Sequence, residues 1–100
     1  MIVVRNVFKL KFGHAREAID LWKQGIAIAQ GAGFEKGSMR LLTDLVGPFY
    51  TLVMESTHES LGDYEQSAKK LMANKEWKAW YAAVPSVTEG GYREVFVIAE

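Results

Sequence analysis

Three polar residues have side chains suited to orienting a ligand or moving a proton: Asn6, His58 and Glu94. Asn6 is the one polar residue on an otherwise apolar strand face, so a buried Asn6 amide either satisfies nearby backbone groups or orients a ligand. The imidazole of His58 titrates near neutrality and could act as a general base, or the ring is simply solvated. A carboxylate such as Glu94 could exchange a proton if an apolar setting raises its pKa.

Aromatic residues recur at helical spacing and form a second candidate feature. An aromatic stripe on a helix packs into a closed core or lines a pocket for a small apolar ligand, and both interpretations stay open here. The candidate ligand-binding residues are Trp22, Tyr64, Trp77, Trp80 and Tyr81.

The charge balance of the chain and its cysteine and histidine content argue against several classes of function. Twelve basic and twelve acidic residues cancel, so no basic excess is present to bind nucleic acid. The chain has no cysteine, which excludes thiolate zinc sites and cysteine nucleophiles. Its two histidines, His14 and His58, lack partners at metal-ligand spacing, so we expect no metal site. A cofactor is not expected either. Charged residues of the strands are expected to pair across the sheet or a dimer: Arg5, Arg40, Glu55, Arg93 and Glu94.

Hydrophobic periodicity changes between two and 3.6 residues along the chain and predicts the elements. A first strand over 2–12 should present one face made of Ile2, Val4, Asn6, Phe8, Leu10 and Phe12. A helix is predicted from residue 15 and ends before the glycines at 31, 33 and 37, and two strands at 38–44 and 49–56 follow, linked through Gly47-Pro48. A helix capped by Ser60 comes next, and then a short helix that is capped by Asn74 and stopped by Pro85. A turn at Gly90-Gly91 leads to the last strand, at 92–99.

The order of these elements is βαββαβ, which is typical of an α+β, ferredoxin-like domain with a four-stranded antiparallel sheet. One such domain is expected to occupy residues 1–100. In the last strand Val95, Val97 and Ala99 alternate with Phe96 and Ile98, so both faces are apolar while helices can cover only one. We therefore expect a homodimer that forms through the open sheet face.

No segment of the sequence is predicted to enter a membrane. The longest apolar run, residues 80–84, is far too short to cross a bilayer. The start of the chain reads as a strand rather than a signal peptide, and a cytoplasmic protein without a membrane partner is expected.

The sequence resembles the dimeric α+β barrel superfamily, and within it NIPSNAP-type and antibiotic-monooxygenase-like domains. The resemblance lies in Lys11-Phe12-Gly13-His14, Gly31-Ala32-Gly33-Phe34, Met54-Glu55-Ser56 followed by Ser60-Leu61, and Tyr92-Arg93-Glu94-Val95-Phe96. It implies two sheets packed across a dimer axis, with a small ligand between each sheet and its helices.

The resemblance implies three possible functions. The first is a cofactor-independent oxygenase or isomerase for a small apolar or aromatic molecule, and the second is a non-catalytic dimeric module that carries a ligand or has a structural role. The third is haem binding or degradation: Asn6 and Gly13 match the spacing of haem-degrading members, but Tyr81 stands where their haem-ligating histidine would be. A ligand-sized void bordered by Asn6 and Tyr81 would favour the first function, and a filled interior the second.

Overall fold

The computed structural model describes residues 1–35 and 37–100, and their secondary structure follows the predicted order. The elements are β1 (Ile2–Leu10), α1 (Ala15–Gly31), β2 (Met39–Thr43), β3 (Thr51–His58), α2 (Leu61–Met72), α3 (Lys75–Tyr81), a 3-10 turn (Val84–Ser86) and β4 (Thr88–Val97). The strands form one antiparallel sheet in the order β2-β3-β1-β4. The predicted α+β, ferredoxin-like fold class is confirmed.

Strand β1 lies in the middle of the sheet and sets which residues face the helices. It pairs with β3 along one side and with β4 along the other. Ile2, Val4 and Leu10 are buried on the helix-facing side, and the alternation of the strand places Asn6 and Phe8 on that side too. The odd-numbered residues of β1 therefore belong to the opposite, outer face of the sheet.

Helices α2 and α3 begin at the two predicted capping residues. The Ser60 hydroxyl accepts a hydrogen bond of 3.1 Å from the backbone N–H of Asp63, and the Asn74 side-chain oxygen accepts one of 2.9 Å from that of Trp77. Caps of this kind contribute about 1 kcal/mol each to stability. They fix where α2 and α3 begin, and therefore where the aromatic residues of these two helices lie along the chain.

Several predicted boundaries were wrong at strand and helix ends. Strand β1 ends at Leu10, because the Lys11 N–H donates a hydrogen bond to the Val87 carbonyl oxygen and leaves the ladder with the neighbouring strands. Phe12 is therefore not on the buried face: it is 83 % exposed and packs on Tyr50. Strands β2 and β3 span 39–43 and 51–58 rather than 38–44 and 49–56. Helix α1 includes Gly31, and α3 ends at Tyr81, three residues before Val84.

The predicted turn at Gly90-Gly91 was also wrong, since both glycines lie inside β4, which ends at Val97 instead of residue 99. Gly91 is the register partner of Phe8. A Cβ atom on Gly91 would overlap with the Val7 carbonyl oxygen and crowd the Phe8 ring, so the close approach of the two strands requires glycine here. The Gly90-Gly91 sequence therefore marks a crowded position within a strand and not a turn.

The outer face of the sheet carries an ionic network at its centre. The Glu55 carboxylate is buried and accepts hydrogen bonds from Arg5 at 2.8 Å and from Arg40 at 2.6 Å, while Arg5 also lies 3.5 Å from Glu94. Pairing between strands is thus confirmed for these four residues. It corrects the expectation of an apolar outer face: apolar side chains flank a charged centre.

The core under the sheet is built on aromatic contacts between α1 and α3. Trp22 of α1 meets Trp80 of α3 edge to face at 4.9 Å between ring centroids. The Trp80 indole lies directly over Gly25 and donates a hydrogen bond of 2.8 Å to the Leu21 carbonyl. Gly25 therefore allows the two helices to approach closely. No helix among residues 1–35 and 37–100 is long and apolar enough to cross a membrane.

We predict that Gly25→Ala destabilises the protein by about 1–3 kcal/mol, even though alanine favours helix by about 1 kcal/mol. The added methyl group would overlap with the Trp80 ring and displace its hydrogen bond to Leu21. Urea denaturation measures the change. Gly31→Ala is the matched control because a Cβ there meets no neighbour, and it should not lower stability. Equal stability of Gly25→Ala and wild type would contradict the prediction.

Candidate functional site

A cavity of about 590 Å³ lies between the helix-facing side of the sheet and the helices. Its wall is mostly apolar. The aromatic lining residues are Phe8, Trp22, Phe34, Tyr64, Trp77, Tyr81 and Tyr92, and the remaining apolar ones are Met39, Met54, Ala68, Leu71, Met72 and Gly91. Among the described residues four others line it, all of them polar: Asn6, Ser56, Lys78 and Arg93.

The mouth of the cavity is marked by the lining residues that reach solvent. Met72 and Tyr81 are 67 % and 44 % exposed, and Lys78 and Arg93 are also exposed. Phe8 and Trp22, which stack at 4.9 Å, lie at the inner end, where Trp22 is almost fully buried. The Trp22 indole N–H finds no acceptor among the described residues. The cavity is thus an apolar space with its charges at the rim.

Asn6 and Arg93 form the main polar pair of the cavity. They are register partners on β1 and β4, and the Arg93 Nε donates a hydrogen bond of 2.6 Å to the Asn6 Oδ1. Because a guanidinium has only donors, this contact assigns the oxygen of the amide to Arg93 and leaves the amide NH₂ to donate elsewhere. The guanidinium also lies 5.9 Å from the ring centroid of Tyr64. The pair therefore offers a ligand more hydrogen-bond donors than acceptors.

His58 lies behind the cavity wall, in contact with the lining residues Ser56, Phe34 and Tyr64. Ser56 borders the cavity from an almost fully buried position, and its hydroxyl lies 2.9 Å from the His58 Nε2. The imidazole is held edge-on by the rings of Phe34 and Tyr64, at 5.6 and 5.1 Å between centroids. Burial lowers the pKa of His58 below its ordinary value, and the nearby Asp63 carboxylate offsets only part of that effect. The ring is therefore neutral at neutral pH and able to accept a proton.

The structure brings most, but not all, of the predicted site residues together. Those that line the cavity are Asn6, Trp22, Tyr64, Trp77 and Tyr81. Trp80 lies in the core between Gly25 and Trp22 and is not part of the lining. Glu94 lies on the outer face of the sheet beside Arg5, where it cannot act on a ligand in this cavity.

Three polar lining residues were not predicted as site residues: Ser56, Lys78 and Arg93. We expected Arg93 to form an ion pair, but its recorded partner is the Asn6 amide. The register between β1 and β4, which joins residues 87 positions apart, decides this contact, and local alternation does not reveal it. The signal that was available is the alternation of β4, which separates Arg93 from Glu94.

Solved structures identify the class of fold. A NIPSNAP family protein from Agrobacterium tumefaciens superposes with a TM-score of 0.87 and 20 % identity over 99 % of this chain and 86 % of that chain. A NIPSNAP domain protein from Burkholderia xenovorans has a TM-score of 0.84 and 17 % identity over 99 % and 95 %. SnoaB, a cofactor-independent oxygenase from Streptomyces nogalater, has a TM-score of 0.73 and 13 % identity over 99 % and 93 %.

No protein-family model matches the sequence, and no curated protein matches it significantly. The structural likeness nonetheless confirms the predicted resemblance at the level of the fold: the chain has the architecture of NIPSNAP family and antibiotic-monooxygenase-like proteins. A shared fold carries many activities, so the activity has to be argued from the cavity.

The lowered pKa of His58 predicts a pH dependence of stability. As the pH falls, the unfolded chain takes up the proton before the folded chain does. The contribution of His58 to stability is therefore complete above about pH 6.5 and decreases as the pH falls from there towards the folded-state pKa. The free energy of unfolding, measured by urea denaturation at neutral pH and at about pH 5, should fall more for wild type than for His58→Gln.

The second histidine supplies the control for this measurement. His14 is exposed at the start of α1, where its Nδ1 lies 2.9 Å from the Glu17 carboxylate. His14→Gln should leave the part of the pH dependence that is due to His58 in place. An identical loss of stability on acidification in wild type and His58→Gln would contradict the assignment.

Proposed function

We propose that the protein is an enzyme that binds a small apolar or aromatic molecule in this cavity and acts on it without a cofactor, as an oxygenase or an isomerase. The observation that carries the proposal is the cavity itself. Its volume of about 590 Å³ exceeds the roughly 300 Å³ at which small-molecule sites begin, and both Asn6 and Tyr81 border it. The same fold in SnoaB, a cofactor-independent oxygenase, supports the proposal.

Asn6 supplies the orienting group for such a reaction. Arg93 fixes the amide by holding its oxygen, so the NH₂ group is free to donate to a carbonyl oxygen of the substrate. When a proton leaves the carbon next to that carbonyl, negative charge develops on the oxygen. Donors already in place in an apolar site stabilise this charge strongly, because no solvent reorganisation is needed.

Ser56 and His58 supply a route for the proton. The Ser56 hydroxyl can take a proton from the substrate while it passes its own to the neutral Nε2 of His58, 2.9 Å away. In an isomerisation the same proton returns to another carbon of the substrate. In an oxygenation the carbanion reacts with O₂; an anthrone, for example, and O₂ give an anthraquinone and water, so the substrate itself supplies the electrons.

A non-catalytic ligand carrier is the second candidate, and one observation favours it. The described lining contains no aspartate, glutamate or histidine, so proton transfer relies on the indirect path through Ser56. A carrier would bind apolar molecules in the cavity and leave them unchanged. Turnover therefore separates the two candidates, while binding is common to both.

The first test fills the cavity. Ala68→Phe adds an aromatic ring to the lining contributed by α2. We expect it to reduce both the binding of anthrone, followed by quenching of tryptophan fluorescence, and anthrone-dependent uptake of O₂ at an electrode, by about tenfold or more. Anthrone serves as the probe because it is polycyclic and has an acidic C–H next to a carbonyl.

The matched control is Ala79→Phe, since Ala79 is exposed on α3 and does not line the cavity. It should retain wild-type binding and O₂ uptake. Binding without O₂ uptake or isomerisation in wild type would favour the carrier. Wild-type behaviour of Ala68→Phe in both assays would show that the cavity is not the site.

We also propose that a second copy of the chain covers the outer face of the sheet. Two large apolar residues are exposed there: Phe96 of β4 at 49 % and Ile98, directly after β4, at 40 %. They adjoin the central ionic network, in which Glu55 is paired with Arg5 and Arg40, so a partner would cover exposed apolar side chains beside charges that are already paired. A homodimer buries these side chains without a different partner.

Phe96→Asp should shift the protein from dimer to monomer, because it places an unpaired carboxylate in the proposed interface. Size-exclusion chromatography with light scattering at micromolar concentration measures the mass. Leu61→Asp is the control: Leu61 is 51 % exposed at the start of α2, on the helix side of the sheet, and its change should leave the dimer intact. A wild-type monomer would contradict the proposed dimer.

A further inference from the structure

The charged residues that line the cavity in the described part of the chain have the same sign. The chain as a whole has twelve acidic and twelve basic residues. The cavity lining, in contrast, contains two charged residues in the described part of the chain, Lys78 and Arg93, and both are cations. Both are exposed, as is the lining residue Tyr81, which places all three at the mouth. A ligand whose body fills the apolar interior therefore leaves its outer end beside positive charge.

Among residues 1–35 and 37–100, Arg93 differs from the other arginines of the sheet in having no carboxylate partner. Arg5 and Arg40 both bind the buried Glu55 on the outer face. Arg93 makes no ion pair among residues 1–35 and 37–100; its Nε is occupied by the Asn6 amide, and its sequence neighbour Glu94 points to the other face. The two terminal NH₂ groups of the guanidinium therefore have no acceptor in the part of the chain that the structure describes.

The chemistry of this guanidinium selects the kind of acceptor. A planar guanidinium binds the two oxygens of a carboxylate with strong, charge-assisted hydrogen bonds. The apolar wall and the Tyr64 ring below Arg93 reduce the local dielectric constant and strengthen that attraction. Lys78 adds a second positive charge at the same rim. A neutral ligand uses neither charge.

We propose that the natural ligand of the cavity is an amphipathic anion: an apolar or aromatic body with a carboxylate that binds Arg93 and Lys78 at the mouth. This inference rests on the proposed small-molecule function and specifies its substrate class. The aromatic body occupies the space between the sheet and α2. The carboxylate fixes which end of the molecule enters first and so presents one part of the body to Asn6 and Ser56.

The test compares two fluorescent probes of nearly equal shape, anthracene-2-carboxylate and its neutral analogue anthracene-2-carboxamide. Titration of the purified protein at neutral pH gives the Kd of each. We expect the carboxylate to bind at least about tenfold more tightly, since hydrogen bonds to charged groups in partly buried sites have effects of this size. Raising the salt concentration should weaken the carboxylate more than the carboxamide.

Two variants separate Arg93 from a general effect of charge. Arg93→Gln removes the charge and should bring the two Kd values to within about threefold of each other. Asn6→Asp leaves Arg93 in place but puts a carboxylate where the amide oxygen accepts the hydrogen bond from the Arg93 Nε. Because this carboxylate neutralises Arg93, the preference for the carboxylate probe should be lost here as well. Lys75→Gln is the control, because Lys75 is exposed on α3 and does not line the cavity; it should keep the preference.

The outcomes distinguish this inference from the proposed function. Equal Kd values for the two probes in wild type would overturn the anionic ligand but leave small-molecule binding in the cavity intact. A preference for the carboxylate that persists in both Arg93→Gln and Asn6→Asp would also overturn it. If neither probe binds to wild type, both the proposed function and this inference are overturned.

Discussion

The alternation of strand β1 is the constraint on which the rest of the molecule depends. The strand is central, so each of its residues faces either the helices or the outer surface, and a shift by one residue would exchange the two sets. In the observed register Asn6 and Phe8 face the cavity, whereas Arg5 faces Glu55. The same strand thus separates a site made of donors in an apolar wall from an ionic network that is fully paired.

The two arginine environments show how burial decides the role of the same side chain. On the outer face, Arg5 and Arg40 neutralise the buried Glu55, and removing either would leave that carboxylate undercompensated. On the inner face, Arg93 is held by an amide and an aromatic ring, which orient it without cancelling its charge. The first environment stabilises the sheet. The second leaves a cation available to a ligand.

The cavity exists because the large aromatic residues divide between two tasks. Trp80 and Gly25 bring α3 against α1, and Trp80 fills the space between them. Trp77 and Tyr81, on the same short helix, instead line the open space, where Trp77 is buried and Tyr81 is partly exposed at the mouth. The helical spacing in the sequence places Trp77, Trp80 and Tyr81 on one apolar stripe. Only the packing of α3 on α1 separates core residues from lining residues.

Local patterns of the sequence were enough to determine the order of elements, the ferredoxin-like class, the Ser60 and Asn74 caps and the inward direction of Asn6, because each depends on residues a few positions apart. The tertiary structure alone decided that Gly90 and Gly91 lie within a strand, that Arg93 is the partner of Asn6, and that the aromatic residues enclose a space instead of filling it. These features depend on register and packing between distant segments, and no short stretch of sequence contains both sides of such a contact.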